Sequence, residues 1–221
     1  MIKKVLIAED HESANISVQK TLEELKILQP DHVYYCDDAF RKIQRGIQTG
    51  ESYDMLITDL YFEEDEYKQK ISGGLELISA VRQIQPDLKI LVFSAEHKPA
   101  TIEMLFEKLE IDGYVRKARN DAKELKLALE SIAENHPYFP RHLRQAIKQK
   151  NAYDFTEYDI IIISLLAGGM RQNQIPSYLQ KKQIRPCSLS SIEKQLNHIK
   201  EILEFSKNEQ LVAFCKDMGI I

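Results

Sequence analysis

Five short apolar runs alternate with amphipathic segments over residues 1–134 of the chain. The runs are rich in Val, Ile, Leu and aromatic residues, which favours strands buried on both faces of a sheet. The segments between them carry apolar residues at helical spacing. The predicted strands are 3–8, 33–36, 55–57, 89–94 and 113–117. Repeated βα alternation predicts an α/β fold with a doubly wound, five-stranded parallel sheet.

Capping residues and helix breakers predict where the helices begin and end. Ser13 is the expected N-cap of the first helix, which ends before Pro30. Asp37 or Asp38 is expected to cap the second helix, which Gly50 stops. Further helices are predicted after the glycine pair 73–74, at 101–109 and at 121–133.

The pattern changes at 135–140, where Asn-His-Pro-Tyr-Phe-Pro interrupts the helical spacing. Beyond this point only helices are predicted, at 141–150, 157–167, 172–179, 189–203 and 208–218. We therefore expect a sheet domain over 1–134, a linker and connecting helix over 135–150, and a small all-α domain over 151–221.

Composition narrows the class of protein. The longest apolar segment, 160–170, is too short to cross a bilayer, and three widely separated cysteines fit reduced thiols. We therefore expect a cytoplasmic protein with no membrane partner. The net charge of −4 hides an asymmetry, because residues from Arg141 onward carry 12 Lys and Arg against 8 Asp and Glu, and the preceding residues 18 against 26. A basic second part permits nucleic-acid binding but does not establish it.

Charged and hydroxyl side chains follow four of the predicted strands. They are Glu9 and Asp10 after the first, Asp59 after the third, Ser94 at the end of the fourth and Lys117 at the end of the fifth. Parallel strands end at one edge of a sheet, where ligands bind. Clustered carboxylates repel one another unless a cation lies among them, and oxygen ligands favour Mg²⁺. A carboxylate beside Mg²⁺ can attack a phosphoryl group. Taken singly, Asp59, Ser94 and Lys117 are better explained as a cap or turn residue, a loop serine and a surface lysine, and Glu9-Asp10 is explained equally well as a turn before a helix.

This combination of residues resembles the receiver domain of two-component response regulators over residues 3–133. The resemblance implies that Asp59 accepts a phosphoryl group from a histidine kinase and that Lys117 pairs with a phosphoryl oxygen. It also implies that Ser94 and Tyr114 shift together on phosphorylation. The implied Mg²⁺ ligands are Glu9, Asp10, Asp59 and the main-chain carbonyl of Tyr61. Two features depart from the family's pattern: the acidic loop 63–70 is longer, and Ala118 replaces a common proline.

Residues 155–221 resemble the LuxR-type DNA-binding domain. The shared features are a helix capped by Thr156, the Leu-Leu-Ala-Gly stretch at 165–168 and a later helix with serines at its start. The resemblance implies a helix-turn-helix whose last helix enters the major groove. Candidate groove-facing residues are Ser190, Ser191, Lys194, Gln195 and His198, and candidate phosphate contacts are Lys181, Lys182 and Arg185, with Lys200 as a further one. The turn 180–187 is longer than in the family, and a solvated helix face explains each residue as well.

We therefore predict a response regulator that a histidine kinase phosphorylates on Asp59, that forms a homodimer when phosphorylated, and that regulates transcription by binding double-stranded DNA. One alternative keeps the receiver but gives the helical domain a protein partner. Another is a Mg²⁺-dependent phosphohydrolase, although Tyr61 stands where those enzymes commonly need a second aspartate. We expect no enzyme activity beyond Mg²⁺-dependent self-phosphorylation and self-dephosphorylation.

Overall fold

A computed structural model describes residues 2–27, 30–63, 66 and 68–221, except for the side chains of 141, 142, 144 and 146. The chain divides into two compact units, Met1–His97 with Thr101–Arg141, and Lys98–Ala100 with His142–Ile221. In the described part of the chain, no helix has the length and apolar character that crossing a bilayer requires.

The first unit is built on a parallel sheet with the strand order β2-β1-β3-β4-β5. The strands are β1 (Val5–Ala8), β2 (Asp31–Val33), β3 (Met55–Thr58), β4 (Lys89–Ser94) and β5 (Gly113–Arg116). The helices are α1 (Glu12–Glu24), α2 (Cys36–Thr49), α3 (Gly74–Ile84), α4 (Pro99–Leu109) and α5 (Asp121–Ala133). Every residue of β1 and β3 is buried, as continuous apolar strands predict. The predicted doubly wound five-stranded sheet is confirmed.

The two faces of the sheet follow from the alternation of side chains along each strand. Val5 and Ile7 of β1 share a buried cluster with Val18 of α1 and Leu129 of α5. The intervening Leu6 is also fully buried and therefore points to the opposite face of the sheet.

The region between β2 and α2 differs from its prediction. The strand is Asp31–Val33 instead of 33–36, and α2 begins at Cys36. Asp37 therefore lies in the first turn of α2, where neither Asp37 nor Asp38 serves as its N-cap. The Asp37 carboxylate instead accepts the backbone N–H groups of Lys70 and Ile71, at 2.9 and 3.0 Å. A contact with a loop more than 30 residues away takes the place of the local cap.

The first helix also begins earlier than predicted. It starts at Glu12 with His11 at the N-cap position, so Ser13 lies within the helix instead of capping it.

The start of the predicted linker is held against the sheet. Tyr138 donates its backbone N–H to Asp112 and accepts that of Tyr114, at 2.9 and 3.1 Å, and so extends the edge of β5. The next residue, Phe139, stacks on Phe106 of α4 with ring centroids 4.1 Å apart. Residues 138 and 139 are therefore part of the first unit.

The second unit is helical. Its elements are α6 (Arg141–Lys150), α7 (Glu157–Ala167), a 3₁₀ turn (Gln172–Gln174), α8 (Ile175–Lys181), α9 (Leu189–Ile202) and α10 (Asn208–Asp217). The helix predicted at 172–179 is thus a 3₁₀ turn followed by a short helix with Pro176 in its first turn. A single buried cluster joins α7 to α10 through residues such as Ile163, Leu179, Leu196 and Leu211.

Candidate functional site

The sheet places Glu9 and Asp59 side by side. Ala8 of β1 pairs with Thr58 of β3, so the next residue of each strand lies at the same level of the sheet edge. Both carboxylates are nearly buried, with Glu9 2% and Asp59 4% exposed. Gly74, at the start of α3, approaches Asp59 so closely that an added Cβ would lie 1.9 Å from the Asp59 carbonyl oxygen. Only glycine fits at position 74. In the sequence, Gly74 was visible only as the end of a loop, and the structure gives the steric reason for it.

Lys117 joins the two carboxylates. It follows β5, and its Nζ lies 2.5 Å from Oδ2 of Asp59 and 2.8 Å from Oε2 of Glu9. Its backbone N–H donates to the carbonyl of Ser94 at 2.8 Å, which fixes its position beside β4. Residues that are distant in sequence therefore meet at one edge.

Burial and charge shift the pKa values of this group. Burial raises the pKa of Glu9, and the nearby charge of Asp59 adds to this effect, although Lys117 opposes it. Burial would lower the pKa of Lys117, but its contacts with Asp59 and Glu9 outweigh burial and raise it. Lys117 therefore remains an ammonium ion and offsets the negative charge of the edge.

Asp10 lies on the more open side of this edge. Its Oδ2 accepts the backbone N–H of Glu63 at 2.6 Å, and its Oδ1 lies 2.9 Å from Nδ1 of His11. One ligand atom from each of Glu9, Asp10, His11 and Asp59 lies within 4.8 Å of the others. Two ligands on opposite sides of an ion at about 2.1 Å are about 4.2 Å apart, so small shifts let these atoms surround a divalent cation. His11 was not among the predicted ligands, although its position directly after Asp10 is a visible signal.

The hydroxyl of Ser94 is buried at the end of β4. Its Oγ makes no hydrogen bond with any residue that the structure describes. Tyr114 is fully buried and donates its hydroxyl to the carbonyls of Glu96 and Ser94, at 2.7 and 3.3 Å. An unsatisfied buried hydroxyl costs about 1–3 kcal/mol, so this position suits an additional acceptor atom.

The predicted phosphate contacts of the second unit are available to solvent. Lys181, Lys182 and Arg185 are exposed at the end of α8 and in the segment before α9. On α9, Ser190, Lys194 and His198 are exposed. Lys181 is the last residue of α8, and Lys182 and Arg185 lie between α8 and α9.

The serines at the start of α9 form a cap. The Ser188 hydroxyl accepts the backbone N–H of Ser191 at 3.2 Å and lies 2.7 Å from the Ser191 hydroxyl. Ser191 is partly buried. The hydroxyl oxygen of Ser190 lies 3.2 Å from the hydroxyl oxygen of Ser188.

Gln195, one of the predicted groove-facing residues, is partly buried and makes its hydrogen bonds within the helical unit. Its Nε2 donates to Oδ1 of Asp159 at 2.8 Å and to the Tyr153 hydroxyl at 3.0 Å. Asp159 is fully buried, and its Oδ2 also accepts the backbone N–H and the hydroxyl of Thr156. Residue 195 is one helical turn from the buried Ile192, which is the periodic signal that the sequence offered.

The match to known families follows this geometry. The model of the response regulator receiver domain matches residues 5–130. The chain belongs to this family. As a receiver domain, the first unit has an acidic site able to bind a divalent metal. No curated protein sequence matches the chain.

Solved response regulators share the fold of the receiver and of the helical unit. An RcsB response regulator of Salmonella typhimurium is 19% identical with a TM-score of 0.60, over 100% of this chain and 99% of that one. A second structure is RcsB of Salmonella enterica serovar Typhimurium, bound to the promoter rprA in the presence of the phosphomimetic BeF3⁻. It is 21% identical with a TM-score of 0.57, and the match covers 97% of this chain and 98% of the RcsB chain. A third structure, of two RcsB dimers bound to two parallel DNAs, is 21% identical with a TM-score of 0.61. That match covers 98% of this chain and 99% of the RcsB chain.

The loop that distinguishes this receiver is anchored at its far end. Glu64, Asp65 and Tyr67, in the acidic loop predicted at 63–70, lie outside the described residues. Beyond them, Oε1 of Gln69 accepts the backbone N–H of Cys36 at 2.9 Å, next to the contacts of Asp37. The sequence showed the length and charge of this loop but not its attachment to α2.

Proposed function

We propose that this chain is a cytoplasmic response regulator whose receiver accepts a phosphoryl group on Asp59 from a histidine kinase. The observation that carries the proposal is the Lys117 ammonium 2.5 Å from the Asp59 carboxylate. At the end of β4, the buried Ser94 hydroxyl has no hydrogen-bond partner among the residues that the structure describes. A phosphoryl group on Asp59 gives Lys117 an anionic oxygen and gives Ser94 an acceptor. The Tyr114 hydroxyl donates to the backbone carbonyls of Ser94 and Glu96, so a shift of Ser94 changes the contacts of Tyr114.

The transfer is a displacement at phosphorus. A carboxylate oxygen of Asp59 forms the new P–O bond while the P–N bond to the kinase histidine breaks, and the imidazole nitrogen keeps the electron pair. Lys117 and Ser94 hold two phosphoryl oxygens. The proposed Mg²⁺ ligands are Glu9, Asp10, Asp59 and the main-chain carbonyl of Tyr61. Bound there, Mg²⁺ offsets the charge on the phosphoryl oxygens.

The site is proposed to catalyse only its own phosphorylation and dephosphorylation. A phosphohydrolase needs an acid/base group near the nucleophile, and Tyr61 holds the position two residues after Asp59. The Tyr61 hydroxyl donates to Glu96 at 2.5 Å, and this contact raises the pKa of Tyr61 to about 12. A phenol of that pKa is a poor general acid or base at neutral pH.

The helical unit is proposed to bind double-stranded DNA, as a homodimer, and thereby to regulate transcription. Two of the similar RcsB structures are bound to DNA, and one of these contains dimers. The exposed Lys181, Lys182 and Arg185 supply cations for phosphates. A protein-binding helical unit is the rival, and it predicts no salt-dependent affinity for duplex DNA.

The phosphorylation proposal is tested with acetyl phosphate and Mg²⁺. Mass spectrometry of the wild-type chain is expected to show one labile phosphoryl adduct, which does not form when a chelator removes the metal before acetyl phosphate is added. Asp59→Asn is expected to form no adduct under any condition. An adduct on the variant, or none on the wild type, contradicts the proposal.

A further inference from the structure

Helix α9 has an inner and an outer face with different chemistry. Ile192, Leu196 and Ile199 are buried, and Gln195 is bonded within the fold. The exposed residues from its second position to its third turn are Ser190, Glu193, Lys194, Asn197 and His198. Among the described residues, the side chains of Glu193, Lys194 and Asn197 have no hydrogen-bond or ion-pair partner. Their polar atoms are therefore free to contact a ligand.

The outer face of α9 does not resemble a phosphate-binding surface. The segment before it carries the three exposed cations Lys181, Lys182 and Arg185, whereas α9 presents a carboxylate, an ammonium and an amide in adjacent positions. Phosphates repel the Glu193 carboxylate, so a position near DNA requires a donor on a base. The donors in the major groove are N4 of cytosine and N6 of adenine, and of these two a carboxylate characteristically accepts from N4 of cytosine.

The other two side chains match base edges in the same groove. An asparagine amide bonds adenine through N6 and N7, and a lysine bonds guanine through O6 and N7. Glu193 and Asn197 are four residues apart, about 6 Å along the helix axis. Base pairs are stacked at about 3.4 Å, so these two side chains reach neighbouring or next-neighbouring pairs.

We propose that Glu193 and Asn197, together with Lys194, read bases in the major groove, with Glu193 selecting cytosine and Asn197 selecting adenine. The segment with Lys181, Lys182 and Arg185 binds phosphates and sets affinity without sequence preference. This inference rests on the proposed DNA-binding function and deepens it, because it assigns residues to the choice of sequence.

The test is selection of bound duplexes from a randomised library by the full-length chain. The wild type is expected to enrich a motif containing a cytosine and an adenine at the positions that these residues contact. Glu193→Gln is expected to replace the cytosine with adenine, and Asn197→Asp to replace the adenine with cytosine, since amides match adenine and carboxylates match cytosine. Each exchange is expected to change the preference at one position by about 5- to 150-fold.

Glu201→Gln is the matched control, because Glu201 is exposed on the same helix two turns beyond Glu193. It is expected to keep the wild-type motif. A wild-type chain that binds no duplex, or enriches no sequence, overturns the proposed function and this inference with it. A wild-type motif that both variants retain overturns the inference alone. A purely structural role for these residues would change affinity without exchanging the preferred base.

Discussion

Lys117 is the side chain on which the charge balance of the acidic edge depends. Glu9 and Asp59 are each almost fully buried, and Lys117 contacts both of them. Carboxylates so placed repel each other unless a cation offsets their charge. In the metal-free protein that cation is the Lys117 ammonium.

Replacing Lys117 with methionine keeps the length of the side chain and removes its charge. The free energy of unfolding in a chelating buffer is expected to fall by about 3 kcal/mol, because loss of one partner leaves buried charges uncompensated. Added Mg²⁺ is expected to restore more stability to this variant than to the wild type, since it binds the folded state. Urea denaturation with chelator or with Mg²⁺ measures both effects.

Lys126→Met is the control for that measurement. Lys126 pairs with Glu24 at 3.6 Å on the surface, where both side chains are about half exposed. Such a pair contributes about 0–1 kcal/mol. Equal losses in the two variants would contradict a special role for Lys117.

The site residues differ in how far the sequence could predict them. Asp59 follows the third predicted strand and Lys117 ends the fifth, and parallel topology is enough to bring them to one edge. Gln195 could not be assigned in this way, because its direction depends on Asp159, which is 36 residues away in sequence. That the Ser94 hydroxyl has no hydrogen-bond partner in the described part of the chain likewise depends on packing, which the sequence does not display.

At the scale of elements, the second unit depends on one buried carboxylate. Asp159 caps α7 together with Thr156 and bonds Gln195 of α9, so it ties the start of one helix to the middle of another. The Tyr153 hydroxyl donates to the same carboxylate at 2.9 Å.

Asp159→Ala is therefore expected to destabilise the helical unit by about 3 kcal/mol. The change removes a helix cap, worth about 1 kcal/mol, and leaves buried donors without an acceptor. Hydrogen exchange of the backbone amides of α7 and α9 measures the loss, and the amides of the sheet are expected to be less affected. Asp154→Ala is the control, because Asp154 is exposed. Similar exchange rates in the two variants would show that the network has no stabilising role.

The elements also show where local patterns are insufficient. Strand β4 has the predicted bounds 89–94, since its apolar run is long and both of its ends are polar. Strand β2 ends at Val33, although Tyr34-Tyr35-Cys36 suits a strand by composition. Gln69 of the loop accepts the backbone N–H of Cys36, and Asp37 accepts that of Lys70, and these contacts fix the start of α2. Such contacts between distant segments override propensity, and no short window of sequence contains them.

At the scale of the whole molecule, the distribution of charge separates two tasks. The residues before Arg141 carry 18 Lys and Arg against 26 Asp and Glu, and those from Arg141 onward 12 against 8. The acidic part suits a metal and a phosphoryl group, and the basic part suits a polyanion. The proposed function requires that a change at the first site alters binding at the second.

That coupling predicts a measurable effect of BeF3⁻, the phosphomimetic present in one of the RcsB structures. With Mg²⁺ and BeF3⁻, the affinity of the full-length chain for its selected duplex is expected to rise by about 5- to 150-fold, the range of a coupling free energy of about 1–3 kcal/mol. Because BeF3⁻ is expected to take the place of the phosphoryl group proposed on Asp59, Asp59→Asn is expected to bind DNA with the same affinity with and without it. Fluorescence anisotropy measures the affinity, and sedimentation measures the accompanying dimer.

If the variant responds to BeF3⁻ as the wild type does, the effect arises outside Asp59. If the wild type does not respond, the two units act independently.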